Sequence, residues 1–248
     1  MPRAALFLTA IVLCGLATVA EARQGATPGP AAAKEADPWL VKIALGYLAT
    51  SGNTESSSLN SGFSVTYKPG LWLHSLEASA IKSSEDDSTT AEAYGAGWRS
   101  EYNLTASDFL FGRVSWRKDR FSGYEQQLSE TVGYGRRLID TPAHVLNAEI
   151  GAGARQAELA DGSTEDEFIT RGGLAYQWTL SETAKFSQSL AVESGADNTW
   201  LESVTALTAT VAGNVALVAS YTVTNNSSVP VGSENTDRFT ALSLEYAF

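Results

Sequence analysis

The feature that most constrains this chain is a period-two hydropathy pattern that begins at Trp39 and is renewed, segment after segment, up to Phe248. Trp39, Val41, Ile43, Leu45 and Tyr47 share one face of the first segment, and Leu40, Lys42, Ala44, Gly46, Leu48 and Thr50 share the other. Leu59, Phe63, Val65 and Tyr67 alternate in the same way with Ser58, Asn60, Gly62, Ser64 and Thr66. So do Leu146, Ala148, Ile150, Ala152 and Ala154 with Asn147, Glu149, Gly151, Gly153 and Arg155. Successive side chains of an extended chain point to opposite sides, so each segment reads as a β-strand with one large apolar face and one small or polar face.

Turn chemistry separates the segments, at Gly52-Asn53, Lys68-Pro69-Gly70, Asp140-Thr141-Pro142, Gly162-Ser163 and the tight hairpin Gly213-Asn214. The pattern predicts twelve strands, at 39–50, 55–67, 71–82, 90–102, 109–118, 126–138, 144–156, 166–178, 183–194, 199–210, 214–223 and 237–248. Such strands can be buried in a soluble sandwich or barrel with apolar residues inward, or in a membrane barrel with them outward. Three features favour the membrane barrel. The strands exceed the five to six residues usual in soluble sheets and match the nine to eleven needed to cross a bilayer at a tilt. The second face, built of Gly, Ser, Thr and Ala with scattered ions, suits a crowded or wet lumen. Finally, Trp39, Tyr67, Trp72, Tyr102, Tyr176, Trp178 and Tyr246 gather at strand ends, where amphipathic rings sit at headgroup level. The expected fold is an all-β, antiparallel up-and-down transmembrane β-barrel over residues 39–248.

The first residues fit export. Met1-Pro-Arg3 is followed by an uncharged run from Ala4 to Ala20 and by Ala20-Glu21-Ala22, which predicts a signal peptide over residues 1–22 cleaved after Ala22. Residues 23–38 are small and polar without apolar periodicity and read as a flexible linker. With 17 Lys and Arg against 28 Asp and Glu, the net charge of −11 disfavours nucleic acid as a partner. The single cysteine, Cys14, excludes a disulfide framework and a cysteine-based zinc site. Connections after odd strands, among them 83–90, 158–166 and 224–236, look longer than those after even strands, placing long loops outside the cell and short turns in the periplasm.

The chain ends on Leu242-Ser243-Leu244-Glu245-Tyr246-Ala247-Phe248. Leu242, Leu244, Tyr246 and Phe248 resemble the C-terminal signature by which bacterial outer-membrane barrels are recognised by their assembly machinery. Ser51-Gly52-Asn53-Thr54 within 41–67, and Asp119-Arg120-Phe121-Ser122-Gly123-Tyr124-Glu125 leading into Gly133-Tyr134-Gly135, resemble the YdiY-type family of salt-induced outer-membrane proteins. The resemblance spans about 39–248 and implies a small barrel in the outer membrane of a Gram-negative bacterium, surrounded by membrane lipid and lipopolysaccharide. It brings no established substrate, cofactor or catalytic residue.

With the apolar face outward, Lys42, Arg99, Arg113, Arg117, Arg155, Arg171 and Lys185 enter the lumen, as do Glu77, Glu101, Glu149, Glu167, Glu193, Asp237 and Glu245. Opposite charges in a narrow barrel can form a rigid ion-pair network. Alternatively, arginines, especially Arg113, Arg117, Arg155 and Arg171, can line a path for small hydrophilic solutes, anions among them. Eight-stranded barrels are filled and sixteen-stranded ones are channels, so twelve strands fall between the regimes. The sequence therefore leaves three functions open: a narrow channel, a non-conducting structural envelope protein of osmotic or salt stress, and a surface receptor or adhesin acting through acidic external loops. The acidic loop residues match no EF-hand spacing and read as solvated charge. Enzymatic chemistry is not expected, because His74 and His144 both follow predicted periplasmic turns, and no glycine-rich stretch precedes a helix that could hold a nucleotide.

Overall fold

The computed structural model describes residues 38–50, 56–85, 88–119, 124–159, 162–229 and 234–248. These form strands and turns only. The strands are β1 (Trp39–Thr50), β2 (Ser56–Tyr67), β3 (Trp72–Glu85), β4 (Ser88–Asn103), β5 (Asp108–Asp119) and β6 (Tyr124–Asp140), followed by β7 (His144–Leu159), β8 (Thr164–Thr179), β9 (Ala184–Ser194), β10 (Thr199–Ala212), β11 (Val215–Asn226) and β12 (Thr236–Ala247). Each pairs antiparallel with its sequence neighbours, and β1 pairs with β12, so the sheet closes into a barrel. All twelve predicted strands are present. The expected signal peptide, most of the linker, Ser51–Thr54 and Arg120–Gly123 lie outside the described residues.

The apolar face points outward. Tyr47, Val132, Ile150 and Phe168 are 68–69% exposed, whereas Arg155, Glu193, Asn198 and Ser129 are at most 2% exposed. On β7 the outward series Leu146, Ala148, Ile150, Ala152 and Ala154 spans nine residues, the length that crosses a hydrocarbon layer at a tilt. This inversion of the soluble rule is sustained only where the outer face meets lipid, since hydrophobic surface left in water has no compensating burial.

One rim of the barrel, called here the terminal rim, carries the start of β1 and the end of β12; the other is the distal rim. At the terminal rim the outer face is a girdle of rings. Trp39 stacks on Tyr67 with centroids 4.0 Å apart, and Trp72 lies 5.6 Å from His74 and 4.9 Å from Tyr102. A second cluster joins His144, Tyr176 and Trp178. Each histidine is tied down locally, His74 Nδ1 to Ser100 Oγ at 2.7 Å and His144 Nδ1 to the Tyr176 hydroxyl at 2.8 Å.

The expected contrast between long external loops and short periplasmic turns is absent but for one connection. Residues 83–85 and 88–90 are strand, because β3 runs to Glu85 and β4 starts at Ser88, while β7 and β8 extend to Leu159 and from Thr164. Only the β11–β12 connection, 227–235, exceeds five residues. Above the apolar band both faces of the sheet carry polar side chains, such as Gln126, Gln156, Glu158 and Asp166 outside, so backbone pairing continues without the hydropathy contrast that marks a strand in sequence.

Closure at β1–β12 is the shortest seam. Four register pairs, from Lys42↔Ala247 to Leu45↔Leu244, join these strands, against twelve between β1 and β2. Side chains extend the seam. Lys42 pairs with Glu245 at 2.7 Å, and Asn60 of β2 reaches across Gly46 to donate to Ser243 Oγ at 2.8 Å. A Cβ at Gly46 would collide with both the Asn60 side chain and the Leu242 carbonyl.

Candidate functional site

The lumen is built unevenly, and the cause lies in its glycines. On β6 and β7 the inward positions include Gly133, Gly135 and Gly151, which leave a hollow in the wall. Phe109 and Phe111 of β5 fill it: a Cβ on Gly135 would strike the Phe109 ring, and one on Gly133 the end of Phe111. The rings in turn carry cations. Arg99 lies over Phe111 at 4.5 Å and Arg137 over Phe109 at 5.0 Å. A guanidinium above an aromatic face keeps favourable electrostatics where water is partly removed.

From there an alternating chain of charges runs along the wall. Arg137 meets Glu101 at 3.9 Å, and Arg99 binds Glu101 and Glu149, each at 2.8 Å. Arg171 links Glu149 (3.4 Å) to Glu193 (2.7 Å), and Arg117 closes on the second Glu193 oxygen at 2.8 Å, where Ser129 also donates. Glu193 is fully buried and is the hub. Arg117 then lies over Trp200 of β10, 3.6 Å from the ring centroid. Alternation of sign lets each buried charge offset the desolvation of the next.

Near the distal rim a separate knot forms. Arg155 pairs with Glu167 and donates to the Asn198 carbonyl; Asn198 donates to Asn226 Oδ1 at 2.8 Å and accepts from the Ser228 backbone. The connection between β9 and β10 is thereby pulled inward beneath the rim. Arg113 is different from these arginines. Among the described residues no carboxylate lies within ion-pair distance of it, and its Nε is buried without a partner in the protein. Glu77 and Glu202 likewise form no ion pair among the described residues.

The opposite wall is small-sided, with Ala44, Gly62, Ser64, Ser79, Gly95 and Gly97, and it faces open space. A cavity of about 560 Å³ lies there, and one of about 430 Å³ lies against the charged wall. Both are lined by Glu77, Arg113, Trp200, Glu202 and Val204, which form a waist. Arg117, Trp200 and Glu202 also line a third cavity of about 160 Å³, and Ile81, Asp119 and Phe239 connect its lining to a fourth of about 330 Å³ toward the distal rim.

Sequence parity places Lys42, Arg99, Arg113, Arg117, Glu149, Arg155 and Arg171 inward, and the structure brings all but Lys42 and Arg155 into the chain or the waist. Lys42 serves the seam and Arg155 the distal knot. Lys185, second in β9, has inward parity but sits exposed at the terminal rim and lines none of these four cavities. Three of the four arginines expected to favour anions, Arg117, Arg155 and Arg171, are neutralised by glutamates. Phe109, Phe111, Arg137, Trp200 and Glu202 are lumen positions that hydropathy alone misses. Parity with Arg113 on β5 was the available signal for the two phenylalanines, and parity between Trp200 and Glu202 was the signal on β10.

A closed, twelve-stranded antiparallel barrel with an apolar exterior and a charged interior is an outer-membrane-type β-barrel. The chain belongs to the family of proteins of unknown function DUF481, whose family model matches residues 43–248. It is 40% identical over 219 residues to the uncharacterized protein YdiY of Escherichia coli (strain K12), covering 88% of this chain and 86% of that relative. Among solved structures it shares the fold of the COG4313 outer membrane channel from Pseudomonas putida F1, with a TM-score of 0.52 at 9% identity over 90% of this chain and 99% of that one. The NanC porin matches with a TM-score of 0.48 at 10% identity, over 84% and 97% of the two chains.

Proposed function

We propose that this protein is a narrow outer-membrane channel for small hydrophilic solutes, exported through its N-terminal signal and inserted with the terminal rim toward the periplasm. The observation that carries the reading is the series of cavities with shared lining residues running from the terminal half of the lumen through the Arg113–Glu77–Glu202 waist to the distal half. The ion-pair chain occupies one wall and leaves these cavities open beside it. Cavities of this size admit solutes of a few heavy atoms and exclude folded or oligomeric cargo. A general preference for anions is not part of this reading, because the neutralised arginines add little field to the path.

Single-channel recording tests it. The protein purified from membranes and added to a planar bilayer in KCl is expected to give small, uniform conductance steps. A folded, inserted barrel that leaves the bilayer silent would contradict the channel and favour a structural role for the ion-pair chain.

A further inference from the structure

We infer that the waist is a binding site for small zwitterions of the amino-acid type, molecules carrying a carboxylate and an ammonium a few bonds apart. This deepens the channel reading and rests on it.

Among the described residues, the fold closes most lumen arginines into ion pairs and leaves one without. The lumen neutralises Arg99, Arg117, Arg137, Arg155 and Arg171 with glutamates at 3.9 Å or less. Arg113 is exempt, although carboxylates are close by. Its Nη2 stands 3.9 Å from where a Cβ on Gly97 would be, and Gly97 is the register partner of Glu77 on the adjacent strand. A free guanidinium and a free carboxylate thus flank the same bare patch of wall without closing on each other. Glu202 adds a second free carboxylate to the same cavities from β10. The two sides of the cavity thus present opposite charges that close into no ion pair, with open space between them.

Arg113 stands between Arg99, its direct register partner, and Arg117 on the same face of β5, and both of those are already paired with glutamates, so Arg113 is the guanidinium left to meet an arriving anion. A lone anion, however, must also pass Glu77 and Glu202, and a lone cation must pass Arg113. A molecule bearing both charges satisfies both sides at once, its carboxylate on the Arg113 fork and its ammonium toward the glutamates. Val204 and the Trp200 ring supply apolar lining for a short carbon skeleton.

The test compares three solutes of similar size acting on the KCl current of the full protein in planar bilayers: alanine, lactate and ethanolamine. Alanine is expected to interrupt the current at about one tenth of the concentration the other two need, the margin given by one additional charge-assisted contact. Arg113→Gln and the double variant Glu77→Gln/Glu202→Gln are each expected to keep conducting and to lose the advantage of alanine. A conducting protein that responds equally to all three solutes, or whose alanine response survives both variants, overturns the zwitterion site and leaves the channel standing. A silent bilayer overturns the channel, and the site with it.

Discussion

The Arg117 guanidinium of β5 lies 3.6 Å above the Trp200 ring of β10 and donates from the same group to Glu193. These strands stand five places apart around a barrel of twelve, so the contact spans the lumen instead of running along its wall. It ties the charged chain to the waist and sets how far the two sides of the barrel stand apart.

Replacing Trp200 with alanine is therefore expected to enlarge the channel while weakening the fold. A desolvated cation–π contact is worth about 2 kcal/mol, and the loss should appear as a lower denaturant midpoint for the folded barrel in detergent. Single-channel conductance should rise in the same variant. Unchanged conductance would place the narrowest point elsewhere.

Glu193 is the most connected lumen charge, receiving Arg117, Arg171 and Ser129. Glu193→Gln leaves the buried Arg171 and the part-buried Arg117 guanidinium groups facing a neutral amide, and breaking a buried pair this way costs about 3–5 kcal/mol. Lys42→Gln at the part-exposed Lys42–Glu245 pair should cost under about 1 kcal/mol. Chemical unfolding of the two variants side by side measures the contrast, and equal losses would argue that Glu193 is not the hub.

The glycine floor makes a reciprocal prediction. Gly135→Ala places a methyl in the Phe109 ring and should destabilise by about 1–3 kcal/mol, the usual cost of overpacking. Adding Phe109→Leu should return part of that loss, so that the double variant loses less than the sum of the two single changes in a double-mutant cycle. Strict additivity of the two changes would show that the ring and the floor are independent.

Leu242, Leu244 and Tyr246 all lie on the outer face of β12, the strand that closes the barrel, with Phe248 just beyond its end and packed edge-on against Tyr246 at 4.6 Å. If these residues also serve the assembly machinery, removal of Phe248 should lower the amount of folded barrel recovered from cells while leaving refolding of the purified protein into detergent near normal. Semi-native electrophoresis of both preparations separates the two effects. An equal loss in both would make Phe248 a stability residue only.

Legibility from sequence followed the physics of each face. β7 is plain because lipid lies on one side of Leu146–Ala154 and a polar lumen on the other, so every second residue reports its environment. The distal ends of β3, β4, β7 and β8 are obscure because water lies on both sides there and composition no longer distinguishes strand from loop. Phe109, Phe111 and Trp200 break the rule that large apolar residues face lipid, since they pack beneath or beside arginines inside the barrel. The inward position of Arg99 and Glu149 follows from parity, but their pairing does not. They sit on β4 and β7, and only the stagger of the closed sheet, together with the low glycine floor between them, brings them within 2.8 Å.

The barrel and its channel depend above all on the direction of the apolar face, and collision accessibility of spin labels in liposomes measures that directly. Cysteines introduced as Ile150→Cys on the outside and Ser64→Cys on the small-sided inner wall can be labelled in turn. The label at 150 is expected to collide freely with dissolved oxygen and scarcely with a water-soluble nickel chelate, and the label at 64 to show the reverse. A label at 150 that meets the chelate as readily as one at 64 would contradict the barrel's orientation and the channel built on it.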